Sequence, residues 1–167
     1  MTYRNKTYVC FDGDTDMHYY RLMCAWKQNN GMDFNFSNAH DLNSSKDTSS
    51  EDTIKRKLRE RLVNSKIMVV LVGEKTRYLY KFVRWEMEQA LSLNIPIIAV
   101  NLNGRRSMDI DRCPSVISKA LVIYISFNAS IMQYTLENWP NKHYQLKKEL
   151  KYGPFYYKNE MYSRLGL

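Results

Sequence analysis

Two short apolar runs limit what this chain can fold into. KIMVVLVG (Lys66 to Gly73) and IPIIAVNLN (Ile95 to Asn103) are of strand length and almost unbroken in hydrophobicity. A strand with one wet face alternates apolar and polar residues. An unbroken run suits a strand covered on both faces, as central parallel strands are. TYVCF (Thr7 to Phe11), MDFNFSN (Met32 to Asn38) and ALVIYIS (Ala120 to Ser126) read as further strands.

Helical patterns separate these strands. MHYYRLMCAWKQNN carries Tyr19, Leu22, Met23 and Trp26 at helical spacing and is stopped by Gly31. TIKRKLRERL follows SSED, which offers Ser49 or Ser50 as an N-cap and acids in the first turn. KFVRWEMEQAL (Lys81 to Leu91) is the third helix, and a fourth is expected around Asn138 to Leu150, before an aromatic tail, GPFYYKNEMY. The polar stretch from His40 to Ser50 reads as a loop. Alternating strands and helices predict an α/β fold: a doubly wound sheet of about five mainly parallel strands with helices on both faces. With 167 residues there is room for one such domain, over 1–127, and a helical and aromatic extension over 128–167 packed on it. Ligands of such sheets sit outside the carboxyl ends of the strands. That directs attention to Asp12–Asp16, Asn38–Asn43, Gly73–Glu86 and Asn101–Arg106.

Composition removes several classes of function. No apolar run approaches the roughly 18 residues of a membrane span, and MTYRNKTYVCF lacks a signal-peptide core, so a cytoplasmic protein is expected. The three cysteines and three histidines are scattered, which argues against a disulfide framework and a metal site. The net charge of +8 is concentrated in KRKLRER and KKELK, where interleaved glutamates mark solvated helix faces. No nucleic-acid-binding signature accompanies it, and none is expected as a partner. No glycine-rich phosphate loop or GxSxG elbow follows a strand. DGDTD, after the first strand, lacks the later acidic pair of a haloacid-dehalogenase-type phosphatase and the glycine and glutamate of a calcium loop. It reads as a polar turn capping the next helix or as a ligand-contacting loop.

One residue resists the pattern. At about 100° per residue, Phe82, Val83, Ala90 and Leu93 share an apolar arc, and Glu86 falls in its middle. Glu88 lies on the polar side, four residues from Arg84, where it reads as a surface ion pair. A carboxylate in an apolar arc costs several kcal/mol unless it is paired, hydrogen-bonded or protonated. Either a partner from another element awaits Glu86, or it is a pocket carboxylate for a ligand hydroxyl.

The strand YVCF, DFNFSNAHDLNSS, IKRKLRERLVNSKIMVVLVGEKT, KFVRWEMEQAL and IPIIAVNLNG together resemble the TIR-like domains of the bacterial Thoeris anti-phage system, of ThsB type. The resemblance runs from about Lys6 to Ser126 and implies a flavodoxin-like, TIR-like sheet. Enzymatic TIR domains cleave the N-glycosidic bond of NAD+ with a glutamate in a Trp-x-x-x-Glu pattern. The matching segment is Phe82-Val83-Arg84-Trp85-Glu86, with Phe82 in place of tryptophan. The resemblance therefore implies Glu86 as the catalytic residue, with Phe11, Asp12 and Phe82 lining its pocket. Asn38 and His40 would touch nucleotide or a neighbouring subunit, although His40 reads equally as an exposed loop residue. The implied activity is that of an NAD+ glycohydrolase or ADP-ribosyl cyclase, with NAD+ as substrate and no separate cofactor. Its cyclic or modified ADP-ribose product would activate a separate effector protein. A phage-derived trigger and a homo-oligomeric site are also implied. The competing readings are a non-enzymatic TIR-like scaffold and a nucleoside deoxyribosyltransferase-like enzyme.

Overall fold

The computed structural model describes residues 5–29, 34–38 and 50–167, with the backbone alone at 5 and 34–38. Strands β1 (Asn5–Cys10), β2 (Phe34–Asn38), β3 (Ile67–Val72), β4 (Ile97–Asn101), β5 (Val122–Ser126) and β6 (Pro154–Tyr156) form one sheet in the order β2-β1-β3-β4-β5-β6. Every pairing is parallel. Helices α1 (Met17–Asn29), α2 (Glu51–Val63), α3 (Val83–Ser92), α4 (Ala129–Lys148) and α5 (Asn159–Arg164) accompany it.

The two-residue period of a strand divides the core into two layers. Tyr8 and Cys10 of β1, Met68, Val70 and Val72 of β3, and Ile97 and Ala99 of β4 pack with Leu58 of α2 and Met87 of α3. Val9, Val69, Leu71, Ile98 and Val100 point the other way, towards Met23 of α1 and Leu136 of α4. Burial on both faces is why β3 and β4 read as unbroken apolar runs.

The helices form where sequence and capping chemistry agree. Ser50 is the N-cap of α2, its Oγ accepting from the Thr53 amide at 3.2 Å. The basic run of α2 is its solvated face, with Lys55–Glu51 at 3.0 Å and Arg56–Glu60 at 3.6 Å. In α4 the structure departs from expectation. The helix begins at Ala129, nine residues before the expected start, with Asn128 capping the Ser130 amide at 2.8 Å. Pro140, a residue favoured in a helix's first turn, lies inside α4 instead. The aromatic tail contributes a strand, β6, that three residues suffice to form on the edge of β5. The expected stop at Gly31 and loop from His40 lie outside the described residues, apart from Ser50.

The strand order places β1 and β3 side by side, with the chain proceeding outwards in opposite directions from them. Crossovers from their carboxyl ends lead to opposite faces, opening a crevice there.

One contact ties the far end of α3 to α4. Asn94, in the left-handed region at φ 55°, ends α3, and its Oδ1 lies 3.1 Å from Nε2 of the buried His143. Burial, and then the charge of Lys147, push the His143 pKa down from 6.5 to about 4. The folded state therefore favours neutral imidazole, and the unfolded state takes up the proton first as pH falls. The resulting stability is fully present above pH 6.5 and is lost between there and about 4. Urea titrations of wild type and His143→Gln should show a steeper loss of stability in wild type across that window.

Candidate functional site

Glu86 occupies the first turn of α3 and is 1% exposed. Two features put it there. The backbone amide of Glu86 donates to the Phe82 carbonyl at 2.8 Å, closing the first turn. The apolar residues Val83, Met87 and Ala90 then hold the same side of α3 against the sheet, where β1 is among the strands it meets. Across from Glu86 stand Tyr8 and Cys10, successive same-face residues of β1, both fully buried. The Cys10 thiol is 3.8 Å from the Val83 carbonyl.

These side chains form a polar group within an apolar layer. Burial pushes the Tyr8 hydroxyl and the Cys10 thiol well above their ordinary pKa values, and the neighbouring negative charge of Glu86 pushes both further. Both groups keep their protons beside the carboxylate, the Cys10 thiol donating to the Val83 carbonyl. Such an arrangement can hold a carboxylate in one orientation, ready to accept hydrogen bonds or to stabilise a positive charge. Glu88, by contrast, is the expected surface partner of Arg84, at 3.0 Å.

Phe82 stands at the N-cap position of α3, in the same core layer as Glu86's neighbours, and is 7% exposed. Phe11 does not join it. It lies on the other face of the sheet, stacked on Tyr20 of α1 with ring centroids 5.1 Å apart. The expectation that Phe11 and Phe82 line one pocket wall is thus corrected: consecutive positions along an extended chain point to opposite faces, and Phe11 follows Cys10. Asp12 is committed to its turn, with Oδ1 accepting from the Asp14 amide at 3.0 Å and Oδ2 from the Thr15 hydroxyl at 2.6 Å. DGDTD is therefore a self-bonded turn leading into α1. Asn38 ends β2 opposite Val9 of β1, and His40 lies outside the described residues.

A cleft of about 230 Å³ opens at the carboxyl edge, between Thr15–Tyr19 and Gly73–Lys75, with Arg112 on its rim. Glu86 does not line it. Asp16, 6% exposed, reaches across the end of β3, so that a Cβ on Gly73 would sit 2.3 Å from its Oδ2. That oxygen has no hydrogen-bond partner among the described residues, and burial followed by the charge of Asp12 raises the Asp16 pKa. Among the described residues no cluster of His, Cys, Asp and Glu could hold a metal ion.

With this geometry in place, the comparisons with known proteins become informative. The model of the Thoeris protein ThsB, TIR-like domain, matches residues 8–107, which is more than half of the chain. The chain belongs to this family. The matched segment includes Tyr8, Cys10, Glu86 and every residue singled out from the sequence. A crystal structure of a conserved protein from Enterococcus faecalis V583 has 17% identity and a TM-score of 0.50, covering 65% of this chain and 69% of that one. At that identity the likeness concerns the fold, which is the α/β fold of the TIR-like family. No described helix is long and apolar enough to cross a membrane.

Sequence reasoning isolated Glu86 but missed Tyr8 and Cys10. Their shared parity along β1 was visible, yet nothing local to β1 says which of its faces meets α3. Gly73 and Asp16 fall in the carboxyl-edge segments that the strand pattern pointed to, but nothing in the sequence sets one against the other.

The contact across Gly73 yields a direct test. Gly73→Ala should destabilise the protein by about 1–3 kcal/mol in urea titrations, as overpacking of a filled site does. Adding Asp16→Ala should recover part of that loss, because it removes the carboxylate that the new methyl would meet.

Proposed function

We propose that this ThsB-family chain is an NAD+-cleaving enzyme of anti-phage defence and that Glu86 is its catalytic residue. The observation that carries the reading is a carboxylate buried in the first turn of α3, at the position where enzymatic members of the resembled family carry theirs. A chain has little structural reason to bury an acid in an apolar layer.

In the proposed reaction the bond between ribose C1′ and the nicotinamide ring nitrogen breaks. Its electron pair leaves with nicotinamide, which becomes neutral, and the ribose is left as an oxocarbenium ion. Glu86 stabilises that charge or holds the ribose hydroxyls, and Tyr8 and Cys10 orient its carboxylate. Phe82 flanks the nicotinamide ring. Water attacking C1′ loses a proton and gives ADP-ribose, whereas a nucleophile from the same molecule gives a cyclic product. Asp12 shapes the loop after β1, and Phe11 buttresses that loop by stacking on Tyr20 of α1. Asn38 and His40 contact nucleotide or a neighbouring subunit in an oligomeric site. The product activates a separate effector protein, and a phage-derived trigger switches on synthesis in the cytoplasm. No cofactor beyond the substrate is required.

The near-complete burial of Glu86 favours a second reading, a non-enzymatic TIR-like scaffold in which it serves as a structural acid. In the enzymatic reading, side chains covering the carboxylate move aside when substrate enters. Incubation of wild type, Glu86→Gln and Glu88→Gln with NAD+, with and without infected-cell lysate, separates the two when nicotinamide and ADP-ribose species are resolved by chromatography and mass spectrometry. Glu86→Gln should lose activity by about a hundredfold or more, while Glu88→Gln keeps it. A folded Glu86→Gln protein with full turnover would overturn the assignment. A wild-type protein silent under both conditions would favour the scaffold.

A further inference from the structure

A second cavity lies on the other face of the sheet from Glu86, between α4 and the segment of β6. It has a volume of about 410 Å³, within the range of small-molecule sites. Its walls include Tyr134, Trp139, Phe155 and Tyr157, with Lys142 at its margin. The rings form two pairs: Tyr134 and Tyr157 have centroids 5.5 Å apart, and Trp139 and Phe155 are 6.0 Å apart. Trp139 is almost wholly buried, yet its indole N–H has no acceptor among the described residues.

A neighbouring cavity of about 460 Å³ shares Tyr156 and Tyr157 with the first and adds Arg106 and Lys158. Tyr156 is 61% exposed although it belongs to a strand. Three cations therefore surround the aromatic walls, against one carboxylate, Glu160. That balance discriminates between ligands. Aromatic cages also attract quaternary ammonium ions, but these cations would repel one. A flat ring system carrying negative charge satisfies every part of the site. The ring walls contact the plane and the cations meet phosphate.

We propose that these joined cavities form a binding site for a purine nucleotide. The base lies among the rings between α4 and β6, and the phosphates extend towards Arg106 and Lys158. A two-ring base offers the aromatic walls more contact area than a single ring does. Most of the site lies beyond residue 107, outside the segment matched by the ThsB family model. It stands whether or not Glu86 cleaves NAD+.

Isothermal titration of the full chain with ADP, adenosine and inorganic phosphate tests the site. ADP should bind at least roughly tenfold more tightly than adenosine or phosphate alone. Lys142→Glu combined with Lys158→Glu changes only exposed residues and should weaken ADP binding by roughly tenfold or more without moving the melting temperature. Tyr134→Ala should weaken ADP and adenosine together. The proposal is overturned if ADP fails to bind at about 1 mM, or if binding is unchanged in both variants. Tighter binding of a single-stranded oligonucleotide than of ADP would equally overturn it.

Discussion

The carboxylate of Glu86 sits against the hydroxyl of Tyr8 and the thiol of Cys10, and the arrangement of the sheet determines that meeting. Because helices pack against both faces of β1, a polar side chain on either must find its partner within the protein. The apolar stripe of α3 fixes which side of that helix faces the sheet, and Glu86 is carried in with Val83, Met87 and Ala90. Apolar packing supplies the force that holds an acid where water would otherwise retain it. Tyr8 and Cys10, held in their protonated forms, make the location tolerable. Removing one of these donors while keeping the carboxylate would leave a buried charge less well satisfied, the costly case for buried polar groups.

The same topology separates the remaining features. Phe82 and Glu86 share one face of the sheet, and Phe11 and the aromatic cavity share the other. The cleft across Gly73 and Asp16 lies at the carboxyl edge between them. The sheet therefore divides the proposed catalytic carboxylate from the proposed nucleotide site. A signal passing between the two would have to cross it through β3 to β5, whose side chains are buried along almost their whole length.

The fold was largely legible in the sequence, for identifiable reasons. Two-sided burial left β3 and β4 unbroken in hydrophobicity, Ser50 announced the start of α2, and Arg84 with Glu88 met at the spacing that suggested it. Legibility failed where a local cue was overridden by tertiary context. The fourth helix was expected from about Asn138, yet it begins at Ala129 and its buried face runs through Leu136, Trp139 and His143. Three residues of β6 carry too little pattern to identify a strand, and their order comes from pairing with β5. For the site, the helical wheel was enough to isolate Glu86. Its neighbours were not legible, because register and facing between β1 and α3 are long-range properties. Phe11 sits apart from Phe82 for a more local reason, the alternation that turns it to the face opposite Cys10.

The central claim is that Glu86 is buried for chemistry and not for stability. Equilibrium denaturation of wild type and Glu86→Gln measures this directly, since an acid kept for function is expected to cost the fold something. The account predicts that the glutamine variant is as stable as wild type within about 1 kcal/mol, or more stable. A loss of about 3–5 kcal/mol, the cost of breaking a buried charged network, would contradict it and make Glu86 a structural residue.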